Sequence, residues 1–111
     1  MTMIGVDIVD IARIHRIVER YGERFLDRVY SKDEANYARG KRRMEETLAG
    51  QFAAKEAFIK ALGRGVPWRD IVVCHEGARP FIRFRGKRYD DVSISHEHAY
   101  AVAVVNINEE K

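Results

Sequence analysis

The apolar pattern changes period in the middle of this chain. Up to Leu62 apolar residues recur at helical spacing, and beyond Pro67 they alternate. Gly63-Arg64-Gly65 and Pro67 mark the join, since glycine ends a helix readily and proline cannot continue one. Apart from one leading strand, helices come first and strands after. That order excludes repeated β-α-β units with a parallel sheet and predicts an α+β fold.

The leading strand lies within residues 4–11, rich in Ile and Val, and ends near Asp7 or a little past it. Ile11, Ile14, Ile17, Val18 and Tyr21 then follow helical spacing, with Asp10 as N-cap and Gly22 as stop. A short helix is expected at 24–29. Ser31-Lys32-Asp33-Glu34 is a capping-box pattern that opens another helix, running to about Arg39. A basic loop at 40–43 precedes a long helix at 45–62. Leu48, Phe52, Ile59 and Leu62 mark one stripe of it, and Ala49, Ala53, Ala54, Ala57 and Ala61 supply propensity and close packing. Strands are expected at 71–74, 81–84, 92–95 and 99–107, broken by Gly77, Pro80 and Gly86. In the last of these both faces are apolar: Tyr100, Val102 and Val104 against Ala101, Ala103 and Val105. One face can meet the helices; a second copy of the chain is expected to cover the other.

With 111 residues, 46% of them apolar, the sequence suits one domain, 1–111, rather than a disordered polyelectrolyte. A lone cysteine, Cys74, excludes an intramolecular disulfide and a cysteine-rich zinc site. No apolar run is long enough to span a bilayer, and the start of the chain lacks a signal-peptide pattern, so a cytoplasmic protein is expected. The net charge of +3 favours anionic partners without choosing among them.

Four groups of residues could carry chemistry. Glu56 and Lys60 share a face of the long helix, bordered by Phe52 and Ile59; a surface ion pair would also explain them. Asp7, after Gly5 and Val6, is either a strand-end cap or a cation ligand. Together Asp7 and Glu56 could hold one hard cation, because magnesium takes one or two protein carboxylates and completes its shell with water and phosphate oxygens. Ser93, Ser95 and His96 place hydroxyls and an imidazole at a strand end, where they can grip phosphate or serve only as turn residues. Gly63-Arg64-Gly65 is a helix stop that also admits a ligand close to the backbone, but it is not a Walker A loop.

Gly5-Val6-Asp7-Ile8, then Leu48-Ala49-Gly50-Gln51-Phe52-Ala53-Ala54-Lys55-Glu56-Ala57 with Lys60-Ala61-Leu62-Gly63, then Ser93-Ile94-Ser95-His96 resemble the holo-acyl-carrier-protein synthases. These form the short subfamily of the 4′-phosphopantetheinyl transferases, and the resemblance covers essentially the whole chain. It implies one long central helix plus shorter helices packed on a mainly antiparallel sheet. It also implies transfer of 4′-phosphopantetheine from coenzyme A to a serine of apo-acyl carrier protein, for fatty acid biosynthesis. Magnesium is the implied cofactor, and a homotrimer with interfacial active sites the implied assembly.

Residue by residue, the resemblance makes Asp7 and Glu56 the magnesium ligands and, with Lys60, the catalytic residues. Lys60, Gly63, Gly65, Ser95 and His96 fall on coenzyme A positions, the last two from a neighbouring subunit. Arg13 falls on a helix arginine that meets the acidic carrier protein. Longer relatives carry Asp-x-Glu at the metal site, whereas this chain has Asp7-Ile8-Val9. The basic loop 40–43 and the stretch 86–91 match no motif of the family. The competing reading is a small basic nucleic-acid-binding domain using Tyr30, Tyr37, Phe81 and Phe84, although no RRM signature or basic stripe supports it.

Overall fold

The computed structural model describes residues 1–108. The elements run β1 (Thr2–Asp10), α1 (Ile11–Tyr21), α2 (Glu23–Val29), α3 (Lys32–Arg39) and α4 (Met44–Leu62). They continue through a 3-10 turn (Trp68–Asp70) to β2 (Ile71–Glu76), β3 (Arg79–Phe84), β4 (Lys87–Tyr89), β5 (Val92–His96) and β6 (Tyr100–Asn108).

Local chemistry accounts for the helix ends. Asp10 caps α1 by accepting from the Ala12 N–H at 3.0 Å. Gly22 closes that helix at φ 55°, a conformation that favours glycine. Ser31 and Glu34 form the expected reciprocal capping box of α3. Gly63, at φ 81°, ends α4 and donates to the Ile59 carbonyl at 2.9 Å.

Among the described residues every strand pair is antiparallel, in keeping with the predicted α+β class, but the strands form two three-stranded sheets rather than one. The first has the order β1-β6-β5, so the first and last strands pair along their full length. The second is the meander β2-β3-β4, turned at Gly77 and at Arg85-Gly86, all three of which have positive φ. Strand β4 went unpredicted because Lys87-Arg88-Tyr89 has no apolar alternation.

Helix α4 lies against the inner face of the first sheet. Ala101, Ala103, Val105 and Ile107 of β6 are fully buried there, as are Ala53, Ala54 and Ala57 of α4. The helix is buried nearly all round. Phe52, Ile59 and Leu62, expected in the core stripe, are only half-buried, and the alanine face makes the main contact. Phe58 is fully buried and joins α4 to the second sheet, its ring 5.1 Å from Phe84 and 5.0 Å from Tyr89.

The close fit of β1 on α4 depends on Gly5, where a Cβ would sit 1.8 Å from the Ala57 carbonyl oxygen. Alternation along β1 then turns Gly5, Asp7 and Val9 inward and leaves Ile4, Val6 and Ile8 exposed. Since β1 runs on to Asp10, Asp7 is not a strand-end cap; Asp10 takes that role.

Candidate functional site

Asp7 is a carboxylate on the inner face of an edge strand, and its side chain is only 16% exposed. Across from it runs α4, which carries Glu56 and, one turn on, Lys60. Asp7 and Glu56 line the same groove, a cavity of about 740 Å³ between β1, α1, α2, α4 and the 3-10 turn. Arg13 of α1 lines it too. The strand, α1 and the long helix therefore bring three of the residues named from sequence, Asp7, Arg13 and Glu56, to one place.

Lys60 is bound differently from the helical pair expected. Its Nζ donates to Asp7 Oδ1 at 3.2 Å and to the Val6 carbonyl at 3.0 Å, so it bridges α4 to β1 rather than pairing with Glu56. Glu56 instead accepts a 2.6 Å hydrogen bond at Oε2 from the Trp68 indole.

Phe52 was expected beside Glu56 from the sequence, whereas Arg24, Phe25, Arg28 and Trp68, which also line the groove, were not singled out there. Arg24 and Arg28 of α2 add two cations to Arg13, and Phe25, Phe52 and Trp68 form apolar wall. The spacing of Arg24 and Arg28, one helical turn apart, was a legible sign that they share a face. Trp68 gave no comparable sign, because it reaches the groove from a turn between helix and strand.

Beneath the groove lies a buried ion pair. Lys55 Nζ is 2.8 Å from Glu34 Oε1, both side chains being fully buried, and it also donates to the carbonyls of Trp68, at 2.9 Å, and Ile71. Glu34 Oε1 accepts from the Ser31 N–H at 2.8 Å and Oε2 from the Val73 N–H at 2.6 Å. Burial pushes the Lys55 ammonium below the usual lysine range, and Glu34 opposes that shift. Burial, aided by Glu34, raises the nearby Tyr30 phenol, whose hydroxyl donates to the Leu48 carbonyl at 2.8 Å.

The remaining predicted residues lie elsewhere. Gly63 and Gly65 flank the open C-terminal end of α4, and a Cβ on either would meet no atom within 4 Å. Ser95 pairs with Val102 and so shares the outer face of the first sheet. His96 lines a second cavity, of about 260 Å³, with its Nδ1 3.4 Å from Glu46 Oε1. Gln51 borders that cavity, and its buried Oε1 has no hydrogen-bond partner among the described residues. Tyr37 and His75 stack at 4.1 Å beside it, with Lys41 of the basic loop 4.6 Å from the Tyr37 ring centre. Burial, helped by Lys41, holds the His75 imidazole below its ordinary range.

Among the described residues no three His, Cys, Asp or Glu side chains cluster to hold a metal. The groove offers two carboxylates, a donor set suited to a hard cation whose other ligands are water and phosphate oxygens. No described helix is long and apolar enough to cross a membrane.

Residues 3–105 match the family model of the 4′-phosphopantetheinyl transferase superfamily. The holo-[acyl-carrier-protein] synthase of Halothermothrix orenii is 42% identical over 116 residues, covering 92% of this chain and 93% of that protein. The crystal structure of the Helicobacter pylori holo-[acyl-carrier-protein] synthase in complex with coenzyme A superposes with a TM-score of 0.83 at 35% identity, covering 93% of this chain and 97% of that one. The Neisseria meningitidis synthase superposes with a TM-score of 0.86 at 28% identity, covering 96% and 98%.

Proposed function

Because the chain belongs to the 4′-phosphopantetheinyl transferase superfamily, among its holo-[acyl-carrier-protein] synthases, we propose that it transfers 4′-phosphopantetheine from coenzyme A to a serine of apo-acyl carrier protein. Adenosine 3′,5′-bisphosphate is the other product. The observation that carries this reading is the meeting of Asp7, Glu56 and Arg13 in one groove, with Lys60 tied to Asp7 at its edge.

The serine oxygen forms a bond to the β-phosphorus of coenzyme A, and the bond from that phosphorus to the bridging oxygen breaks. Lys60, a flexible ammonium beside Asp7, stabilises the charge that the departing bisphosphate acquires. The serine proton goes to a base in the groove, where Glu56 and Asp7 are the carboxylates at hand. Asp7 and Glu56 would also hold the magnesium ion, which when bound supplies charge neutralisation at the phosphate oxygens. Arg13, Arg24 and Arg28 give the groove a cationic side that suits an acidic carrier protein.

In this reading the nucleotide end of coenzyme A lies against Ser95 and His96 of a neighbouring copy. Two features support it. His96 lines a different cavity from Asp7 and Glu56, so one chain does not gather them in a single groove, as expected if a neighbouring copy supplies the imidazole. The outer face of the first sheet presents Ile4, Val6, Ile8 and Val104, each 40–68% exposed, for such a copy to cover. Gly63 and Gly65, just beyond Lys60, would let coenzyme A approach the backbone. The assembly is a homotrimer of single-domain chains, 1–111, working in the cytoplasm in fatty acid biosynthesis.

The test is mass spectrometry of apo-acyl carrier protein incubated with coenzyme A, magnesium and this protein. Addition of one phosphopantetheine group is expected, lost when magnesium is chelated and lost in Glu56→Gln. An unchanged carrier mass with the intact enzyme overturns the assignment.

A further inference from the structure

Adjacent residues of α4 grip the same tryptophan at its two ends. Lys55 faces the interior, where its ammonium binds the Trp68 carbonyl at 2.9 Å. Glu56 faces the groove, where its Oε2 accepts from the Trp68 indole at 2.6 Å. The Trp68 ring also packs on Phe52, one turn earlier in α4, with ring centres 5.8 Å apart. Lys55 is itself fixed by Glu34 and by the Ile71 carbonyl, so the backbone of the turn is tied to α3, α4 and β2 together.

We propose that Trp68 is a positioning residue for Glu56, its indole N–H holding the carboxylate in the orientation that cation binding and transfer require. The proposal rests on the reading of Glu56 as a magnesium ligand. A free glutamate at a groove wall has several torsions to order, at an entropic cost on every binding event. A donor on a clamped ring removes part of that cost in advance. Indole suits this task because it donates and cannot accept: it satisfies one carboxylate oxygen without offering the cation a competing ligand. At 2.6 Å the indole N–H is in direct hydrogen-bond reach of the carboxylate. Partners of this kind behind a metal ligand commonly govern its affinity.

Trp68→Phe keeps a ring to pack on Phe52 and removes only the donor. Manganese binding can be followed by electron paramagnetic resonance at saturating coenzyme A, in wild type, Trp68→Phe and Glu56→Gln, well below each melting temperature. The expected result is a manganese dissociation constant raised about tenfold in Trp68→Phe, the low end of what losing such a partner costs. The magnesium concentration for half-maximal transfer should rise in parallel.

Wild-type affinity in Trp68→Phe, with binding lost in Glu56→Gln, overturns the positioning role alone. Wild-type affinity in Glu56→Gln overturns the metal-ligand reading and this proposal with it. Should Trp68→Phe not fold, the intact protein still decides the matter, because Trp68 is its single tryptophan. Its emission at saturating coenzyme A should shift on adding magnesium in wild type and not in Glu56→Gln. Emission indifferent to magnesium in wild type overturns the proposal.

Discussion

At the scale of single residues, the groove depends on an atom that is missing. Asp7 reaches it because Gly5, two residues earlier on the same face, lets β1 lie directly on the α4 backbone. A methyl at that position would stand 1.8 Å from the Ala57 carbonyl oxygen and 2.7 Å from the Ala61 nitrogen. Backbone cannot rotate away as a side chain can, so Gly5→Ala must separate strand from helix. Chemical denaturation should show a loss of about 3 kcal/mol, the upper end of ordinary overpacking. That loss exceeds the roughly 0.4–1 kcal/mol which the glycine replacement returns by stiffening the unfolded chain. Transfer activity per folded molecule should fall as well, because Asp7 moves with the strand. His75 makes a second, independent prediction. Burial and Lys41 hold its imidazole below the usual 6.5, so the unfolded chain takes up the proton first as pH falls. Stability is therefore lost on acidification below about 6.5. In His75→Phe, which keeps a ring to stack on Tyr37, the drop in melting temperature between about pH 7.5 and pH 5.5 should be smaller than in wild type. An equal drop in both proteins would assign the acid sensitivity to other groups.

At the scale of elements, the helices were legible in the sequence because their ends are written in local chemistry. Asp10, Gly22, Ser31 with Glu34, and Gly63 each terminate or cap the helix that the spacing predicts. What escaped was whatever depends on distant segments. Glu34 reads as half of a capping box, yet the same carboxylate also takes the Lys55 ammonium and the Val73 N–H, contacts that no local pattern announces. The division into two sheets was hidden for a similar reason. It is decided by β5 pairing with β6, and β6 with β1, rather than by any turn residue. The Glu34–Lys55 pair is consequently the joint between α3, α4 and β2. Lys55→Met leaves a buried carboxylate without its cation and should cost about 3–5 kcal/mol in urea unfolding. Adding Glu34→Gln removes that stranded charge. The double variant should be more stable than the sum of the two single losses predicts, by about 1–3 kcal/mol of coupling. Simple additivity would mean that the two groups act independently despite their 2.8 Å separation.

For the whole molecule, one chain displays the parts of the proposed site without joining them. Asp7 and Glu56 line one groove, His96 a second cavity, and Ser95 stands on the outer sheet face beside Val102. Sequence motifs could name these residues, because each motif is local. They could not show that Ser95 lies on the outer face of the first sheet while Asp7 and His96 lie on its inner face, since that follows from the sheet order and from the alternation of sides along β1 and β5. The same outer face leaves Ile4 68% and Ile8 63% exposed, with Val104 paired to Val6 at its centre. A carboxylate there opposes burial against another copy without touching α4, so Val104→Glu should sediment as a monomer while keeping its helical circular dichroism, and should lose transfer activity. The stronger test uses two inactive variants. Glu56→Gln spoils the groove and keeps His96; His96→Ala does the reverse. If a site takes its groove from one copy and its imidazole from the next, a mixed assembly contains some interfaces where both intact halves meet. Random mixing in equal amounts should then restore about a quarter of wild-type activity, because a closed ring of heterologous contacts pairs each groove with one neighbour. Sites complete within single chains would stay inactive however the variants were mixed.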